Sequence, residues 1–241
     1  MQTVVVIPTY NERENIAKLI PAIFNRIPTG LEVVVVDDNS PDSTANVVVD
    51  WQTVYPLSLH LIKREKKMGL GSAYIAGFKK ALEIGADLIM EMDADFSHNP
   101  DDIKKLISAC ELGADLSIGS RKISGGGIVG WSWWRKFMSN GAMLVARWLL
   151  GLKAKDVTAG FRCYKRQVLE AINLEKITTS GYAFQEEMLY RVEKQGFTIR
   201  EISVIFNDRA EGKSKLSTKD IMEFFLTIIR LKFKKYDQTT T

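Results

Sequence analysis

Cysteine and histidine are almost missing from this chain of 241 residues, with two of each. Cys110 and Cys163 lie far apart without metal-ligand spacing, which excludes a disulfide framework and fits a reducing compartment. Both read as core residues. His60 reads as a packing residue in an apolar strand pattern. His98 follows an acidic motif, as a turn residue or a neighbour of that motif, so neither histidine is nominated as a base. Long hydrophobic runs are missing as well. Arg135, Lys136, Arg147, Glu223 and Arg230 interrupt the most apolar stretches, and none reaches the roughly 18 residues that a membrane-crossing helix needs. No basic-then-apolar leader precedes the first strand pattern, and there is no internal repeat or low-complexity segment. Membrane contact is therefore expected to be peripheral or through a partner.

Excess charge is scarce too: 33 Lys and Arg face 29 Asp and Glu, a net of +4. Its placement is uneven, with Arg230, Lys232, Lys234 and Lys235 crowded at one end, which suits an anionic surface such as lipid headgroups. The basic residues form no broad stripe with the fold signals of a nucleic-acid binder, so no nucleic-acid partner is expected.

What the chain does have is apolar content of 46%, enough for a sizeable core in one large α/β domain or one domain plus an appendage. Residues 3–8 and 32–37 are short β-branched runs bounded by turn formers, the pattern of buried parallel strands. Between them, Ile16, Leu19, Ile20 and Ile23 give 12–27 helical spacing. The alternation continues through 41–50, 57–63, 69–85, 87–93, 100–112 and 114–119, with Pro100-Asp101-Asp102 as a helix start. After residue 120 it breaks into the loop Gly125–Gly127 and an aromatic-rich stretch, 131–150, followed by a helix at 185–195, a strand at 198–206 and a helix at 218–235. Glu186 and Glu187 read as surface charges on that first helix.

In open α/β sheets, ligands sit beyond the carboxyl ends of the strands. Three strands here end in chemically useful residues: Pro8-Thr9-Tyr10-Asn11-Glu12, Asp37-Asp38-Asn39-Ser40 and Asp93-Ala94-Asp95. An aromatic ring with neighbouring carboxylates suits a nucleobase and its ribose. In an extended segment Asp93 and Asp95 would project to the same side and reach one Mg²⁺ or Mn²⁺, hard ions that share oxygen ligands with substrate phosphates. Arg135 and Ser139, four apart on a helix, share a face that suits an acceptor phosphate. Arg209 and Lys215 flank a glycine-containing loop that suits a diphosphate, although from the residues alone this pair, like Arg135 and Ser139, reads equally as solvated basic surface.

The segments VVVIPTYNERENI, VVVVDDNSPDST, EMDADFSHNP and IGSR resemble the family-2 glycosyltransferases, and DVTAGFRCYKRQVL and FNDRAEGKSKL extend the match through nearly the whole chain. The resemblance is strongest to dolichol-phosphate mannose synthases of the catalytic-subunit type without membrane spans of its own. It implies an α/β GT-A (Rossmann-like) fold, with a mainly parallel central sheet, helices on both faces and C-terminal amphipathic interface helices. The catalytic domain would be 1–217, including an acceptor loop and amphipathic helix at 122–150, and 218–241 would be a C-terminal amphipathic helix with a short polar tail.

By the same resemblance, Pro8, Tyr10 and Glu12 line the guanine and ribose pocket, completed by Val36 and Asp38. Asp93, Ala94 and Asp95 contact the diphosphate, with Asp95 the principal metal ligand and Ser97 in the place where several relatives have a glutamine ligand. Arg121 faces the sugar and the incoming phosphate, and Asp156 falls near the active centre. The implied reaction moves mannose from GDP-mannose to a polyprenyl or dolichyl phosphate with inversion, on the cytoplasmic face of a membrane, with a small membrane-spanning subunit as a candidate partner. Two alternatives stand beside it: a related transferase using UDP-glucose or another nucleotide sugar, and a non-catalytic sugar-nucleotide-binding subunit.

Overall fold

The computed structural model describes residues 1–27, 29–177, 179, 181, 183–208 and 218–233, with the backbone alone for 218–221. Val4, Val5, Val6 and Ile7 in β1 (Thr3–Thr9) have no solvent exposure at all. A strand buried on both faces must lie inside a sheet covered on both sides. Alternation then divides its residues between two cores. Val4 and Val6 face one, with Val34 and Val36 of β2 (Leu31–Asp37); Val5 and Ile7 face the other, with Val33 and Val35. Fully burying one such aliphatic side chain contributes about 1.5–3 kcal/mol.

The second core is closed by α1 (Arg13–Arg26) through Ile16, Leu19, Ile20 and Ile23, and by Val48 of α2 (Thr44–Gln52). Next come β3 (Leu59–Lys63), α3 (Leu70–Glu83) and β4 (Leu88–Glu91). Helix α3 crosses β1 so closely that a Cβ on Gly77 would stand 2.1 Å from Val6 Cγ1. A 3-10 turn at Pro100–Asp102, capped by Asn99, leads into α4 (Ile103–Glu111) and β5 (Leu116–Ser120). The chain continues through β6 (Gly127–Val129), α5 (Trp133–Leu150), β7 (Arg162–Lys165) and α6 (Arg166–Ala171). It closes with α7 (Phe184–Lys194), β8 (Ile199–Ser203), β9 (Ile205–Asn207) and α8 (Thr218–Phe233).

The main sheet has seven strands in the order β3-β2-β1-β4-β7-β5-β8, all parallel except β7, which runs antiparallel to β4 and β5. The expected mainly parallel sheet with helices on both faces is therefore present. The single strand read at 198–206 is two: β8 pairs with β5, and after Val204 the chain leaves the sheet so that β9 pairs with β6 in a separate ribbon. No helix among the described residues is long and apolar enough to cross a membrane.

Two readings from the sequence need correction. Glu186 and Glu187 are buried, not surface charges, because the first turn of α7 points into the core. Glu187 is matched by Arg191, Arg230 and Thr179, whereas neither carboxyl oxygen of Glu186 has a hydrogen-bond partner among the described residues. Burial, with Glu223 nearby, pushes the Glu186 carboxyl well above the usual range. His60 is no packed core residue: it is half-buried on the edge strand β3 and faces Glu32.

Beneath the sheet's carboxyl edge, Arg162 is fully buried and donates to the carbonyls of Val157, Ala159 and Gln185 at 2.8–2.9 Å. It also donates to Tyr164, whose hydroxyl donates to Glu91, and Gln185 Nε2 holds the other Glu91 oxygen. Burial raises the Glu91 carboxyl to about 7 against the opposing pull of Arg162. The network is costly to bury but leaves few donors unmatched, and it fixes the 157–159 backbone directly under the loop described next.

Candidate active site

The order of strands reverses between β1 and β4, and the carboxyl ends of β2, β1 and β4 lie side by side at this switch point. Each is followed by a non-glycine residue in the left-handed region: Asn11 at φ 59°, Asn39 at 55° and Phe96 at 59°. Such residues are uncommon and cluster where a chain is bent for a purpose. Hydrogen bonds lace the β1 and β2 ends together. Asp37 accepts from Thr9 Oγ1 and from the amide and hydroxyl of Ser40, while Asn11 N donates to Ser40 Oγ and Glu12 N to Thr44 Oγ1.

Pro8, Tyr10 and Glu12 lie half-buried along this edge. Val36 and Ala94 are buried, and the Val36 side chain belongs to the core, so only their backbones can face a ligand. Asp38 is buried and already engaged: Arg64 pairs with it, and the Met68 amide donates to its other oxygen. It thereby anchors the 64–69 loop, which holds Lys67 Nζ 4.3 Å from the Tyr10 ring centroid.

The acidic turn lies beyond β4, not on it. Asp93–Asp95 sits in a bend, so the same-side projection expected of an extended segment does not apply. Tyr74 OH donates to Asp93 Oδ1 at 3.2 Å, and the Asp93 amide donates to His98 Nδ1, placing the neutral ring's hydrogen on Nε2. Burial holds His98 below the usual histidine range, although Asp93 and Asp95 pull the other way. Its ring stacks on Phe161 at 4.9 Å, which makes it a buried support of the turn.

Ser97 N donates to Asp95 Oδ1, whereas Ser97 Oγ is buried with no hydrogen-bond partner among the described residues. No cluster of three or more His, Cys, Asp or Glu gathers there among the described residues. Asp93 and Asp95, with the orphaned Ser97 hydroxyl in the same turn, offer too few oxygens to enclose an ion, a donor set that fits Mg²⁺ or Mn²⁺ sharing its shell with water and phosphate oxygens.

Opposite this turn stands Arg121. Its amide and Nε donate to Asp156 Oδ2 at 2.8 and 2.7 Å, and its Nη2 donates to Asp156 Oδ1 at 2.6 Å and to Thr158 Oγ1 at 3.0 Å. Burial would raise the Asp156 carboxyl, but Arg121 outweighs it and holds the group below the usual range. Glu201 accepts the amides of Lys155 and Asp156, so the whole loop is pinned to β8. The Phe206 ring links the acidic and basic halves, 5.9 Å from the His98 ring and 5.4 Å from the Arg121 guanidinium.

Lys122 extends the basic half and was not read from the sequence. Its Nζ donates to Asn140 on α5, and burial, together with Arg121 and Lys136, lowers its pKa. The only sequence signal was adjacency to the Gly-Ser-Arg turn. Tyr74 and Thr158 had none.

Ser132 caps α5 by accepting the Arg135 amide. The Arg135 guanidinium lies 3.9 Å from the Trp131 ring centroid and pairs with Asp208 at 3.2 Å; Ser139 follows one turn later, half-buried. Trp133, Trp134, Phe137, Met138, Leu144 and Trp148 are exposed on the same helix. Arg209 and Lys215 lie outside the described residues. A cavity of about 400 Å³ beside the start of β8, lined by Lys153, Ala154, Glu193, Phe197 and Glu201 among others, holds none of the groups nominated for substrate or metal.

Residues 4–172 match the family model described as glycosyl transferase family 2. Three curated relatives show 39–41% identity. They are polyprenol monophosphomannose synthase of Mycolicibacterium smegmatis (41%; 92% of this chain, 83% of the relative), undecaprenyl-phosphate mannosyltransferase of Micrococcus luteus (40%; 95% and 93%) and dolichol-phosphate mannosyltransferase of Pyrococcus furiosus (39%; 96% and 64%). A crystal structure of glucosyl-3-phosphoglycerate synthase from Mycobacterium tuberculosis, in complex with Mg²⁺ and uridine-diphosphate, superposes with a TM-score of 0.72 over 95% of this chain and 79% of that one. At 17% identity that likeness speaks for the fold. Matched across most of its length by both the family model and these enzymes, the chain belongs to glycosyl transferase family 2, in the branch that holds the polyprenyl-phosphate mannosyltransferases.

Proposed function

We propose that this enzyme moves mannose from GDP-mannose to the phosphate of a polyprenyl lipid at a membrane surface, inverting the anomeric carbon. One observation carries the reading. Helix α5, tied to the Arg121–Asp156 loop through Lys122–Asn140 and Thr158–Met143, carries Arg135 and Ser139, while its exposed face carries Trp133, Trp134, Phe137 and Trp148. Phosphate recognition bordered by an apolar, tryptophan-rich surface suits an acceptor that is both an anion and a lipid. The names of the three relatives support the same acceptor and sugar.

A phosphate acceptor simplifies the chemistry. Its second pKa is about 6, so at neutral pH it is largely a dianion and needs no base to remove a proton. That agrees with a site whose one histidine is buried as a support. Tyr10 and the β1–β2 edge would seat the base and ribose, with Lys67 as a neighbour. Arg121, locked by Asp156, would offer its remaining donors to charge between the two substrates without reorganising. Lys122, Arg135 and Ser139 would draw the acceptor phosphate in. A divalent cation held by Asp93 and Asp95, with Ser97 beside them, would neutralise charge on the departing diphosphate.

Arg135→Ala is the direct test of the acceptor half. Loss of a charge-assisted hydrogen bond of about 1.5–3 kcal/mol should raise the acceptor KM or lower turnover roughly ten- to over a hundredfold. GDP-mannose affinity, titrated separately, should stay almost unchanged. An equal loss there would contradict the assignment.

A further inference from the structure

We infer that Asp208 is the resident anion of Arg135: it holds the guanidinium until an acceptor phosphate displaces it, and reclaims it as product leaves. This rests on the reading of Arg135 as an acceptor-phosphate residue.

The placement of Asp208 is built into the backbone. Its amide donates to Val129 O at 3.0 Å, extending the β6–β9 ribbon by one residue. Gly130 makes the room. Its φ of +90° is left-handed, and a Cβ there would stand 2.7 Å from Asp208 Cβ. Asp208 Oδ2 then meets Arg135 Nη1 at 3.2 Å, its one ion pair among the described residues. Arg135 is steadied independently, because its guanidinium stacks on Trp131, whose ring packs edge-on against Phe206 of β9. The cation can therefore stay in place while its anion is exchanged.

Exposure sets the strength of the pair. The side chains of Arg135 and Asp208 are 39% and 34% exposed, so solvent screens the attraction, and a pair of this kind shifts an equilibrium by only about 1.4- to fivefold. A carboxylate brings one negative charge, whereas a phosphomonoester brings about 1.5–2 at neutral pH with three acceptor oxygens. The acceptor can thus outcompete Asp208. Transfer converts the monoester into a phosphodiester with a single charge and fewer free oxygens. The product has lost most of that advantage over the carboxylate. Asp208 therefore weakens acceptor binding slightly and speeds release of the mannosylated lipid, a trade that a purely structural ion pair would not make.

The full chain, assayed with GDP-mannose and farnesyl phosphate, decides the matter. Asp208→Asn should lower the farnesyl phosphate KM roughly two- to fivefold and tighten inhibition by the mannosylated product by at least as much, with the GDP-mannose KM unchanged. Asp208→Glu, which keeps the carboxylate, should restore both values towards those of the unaltered enzyme. In an Arg135→Ala background, Asp208→Asn should do nothing. An unchanged or raised acceptor KM in Asp208→Asn, with Asp208→Glu active and folded, overturns the inference, as does an equal shift in the GDP-mannose KM. If Arg135→Ala itself leaves the acceptor KM unaltered, the reading of Arg135 fails first.

Discussion

Asp95→Ala is expected to cut mannosyl transfer on the order of a thousandfold or more while leaving the fold intact. Asp95 sits in the bend beyond β4, half-buried, with one oxygen taking the Ser97 amide. Asp93 is tied by Tyr74, and Ser97 Oγ lacks a partner among the described residues. Asp95 is half-buried in a bend at the sheet's edge, so its removal should be felt in the site more than in the core. Binding offers a second readout: GDP affinity should rise with added Mg²⁺ or Mn²⁺ in the unaltered enzyme and become indifferent to metal in Asp95→Ala. EDTA should reproduce the loss of transfer. Full activity in metal-free buffer would sink the assignment of Asp93, Asp95 and Ser97 to a cation.

The second large effect concerns the outer face of α5 and α8. Trp133 is 75% exposed, Trp148 80% and Phe233 82%, and Met222, Leu226 and Ile229 lie on the outside of α8, which packs beside α5. Apolar area on this scale marks an interaction surface, and tryptophan favours the interfacial zone of a bilayer. Replacing Trp133, Trp134, Phe137 and Trp148 together by Ser should weaken partition into anionic lipid vesicles at least about a hundredfold, since each fully buried large side chain contributes about 1.5–3 kcal/mol. Tryptophan fluorescence of the unaltered protein should shift to the blue when those vesicles are added. Unchanged binding by the fourfold variant, at low and high salt, would move the docking role elsewhere. Cutting off 218–241 is a poorer probe, because Ile228 and Leu231 belong to the core and its removal would disturb the domain.

That helix also shows where sequence reading stops. By spacing, Asp220, Glu223, Thr227, Arg230 and Lys234 form a polar stripe, but the three whose side chains are described turn it inward: Arg230 pairs with Glu187, Glu223 accepts the Gly181 amide and Thr227 is buried. Met222, Phe225, Leu226, Ile229 and Phe233 are left outside, while Ile228 and Leu231 share the inner side with the stripe. A hydrophobic pattern reports that one side differs from the other, and only the neighbours decide which side is wet. Glu186 and Glu187 failed for the same reason, since a charged residue on a helix looks alike in sequence whether buried or exposed.

By contrast, the parallel strands were legible because burial on both faces leaves unbroken β-branched runs such as Val33–Val36. The four-residue β7 gives no such run, and it enters between β4 and β5 from far along the chain. In the site, strand-end residues could be read because they are contiguous. The Arg121–Asp156 lock joins residues 35 apart, and the Arg135–Asp208 pair joins residues 73 apart. Spacing within a segment cannot reveal partners that only the fold brings together.

Transfer itself is the most direct measurement: the protein with Mg²⁺, a short polyprenyl phosphate and either GDP-mannose or UDP-glucose, with the lipid product isolated and its anomeric configuration read by NMR. Polyprenyl β-mannosyl phosphate should form from GDP-mannose, and no glycolipid from UDP-glucose. A glucosyl lipid from UDP-glucose, an α-linked mannosyl product, or no product from GDP-mannose with folded protein and membrane lipid present would contradict the proposed reaction.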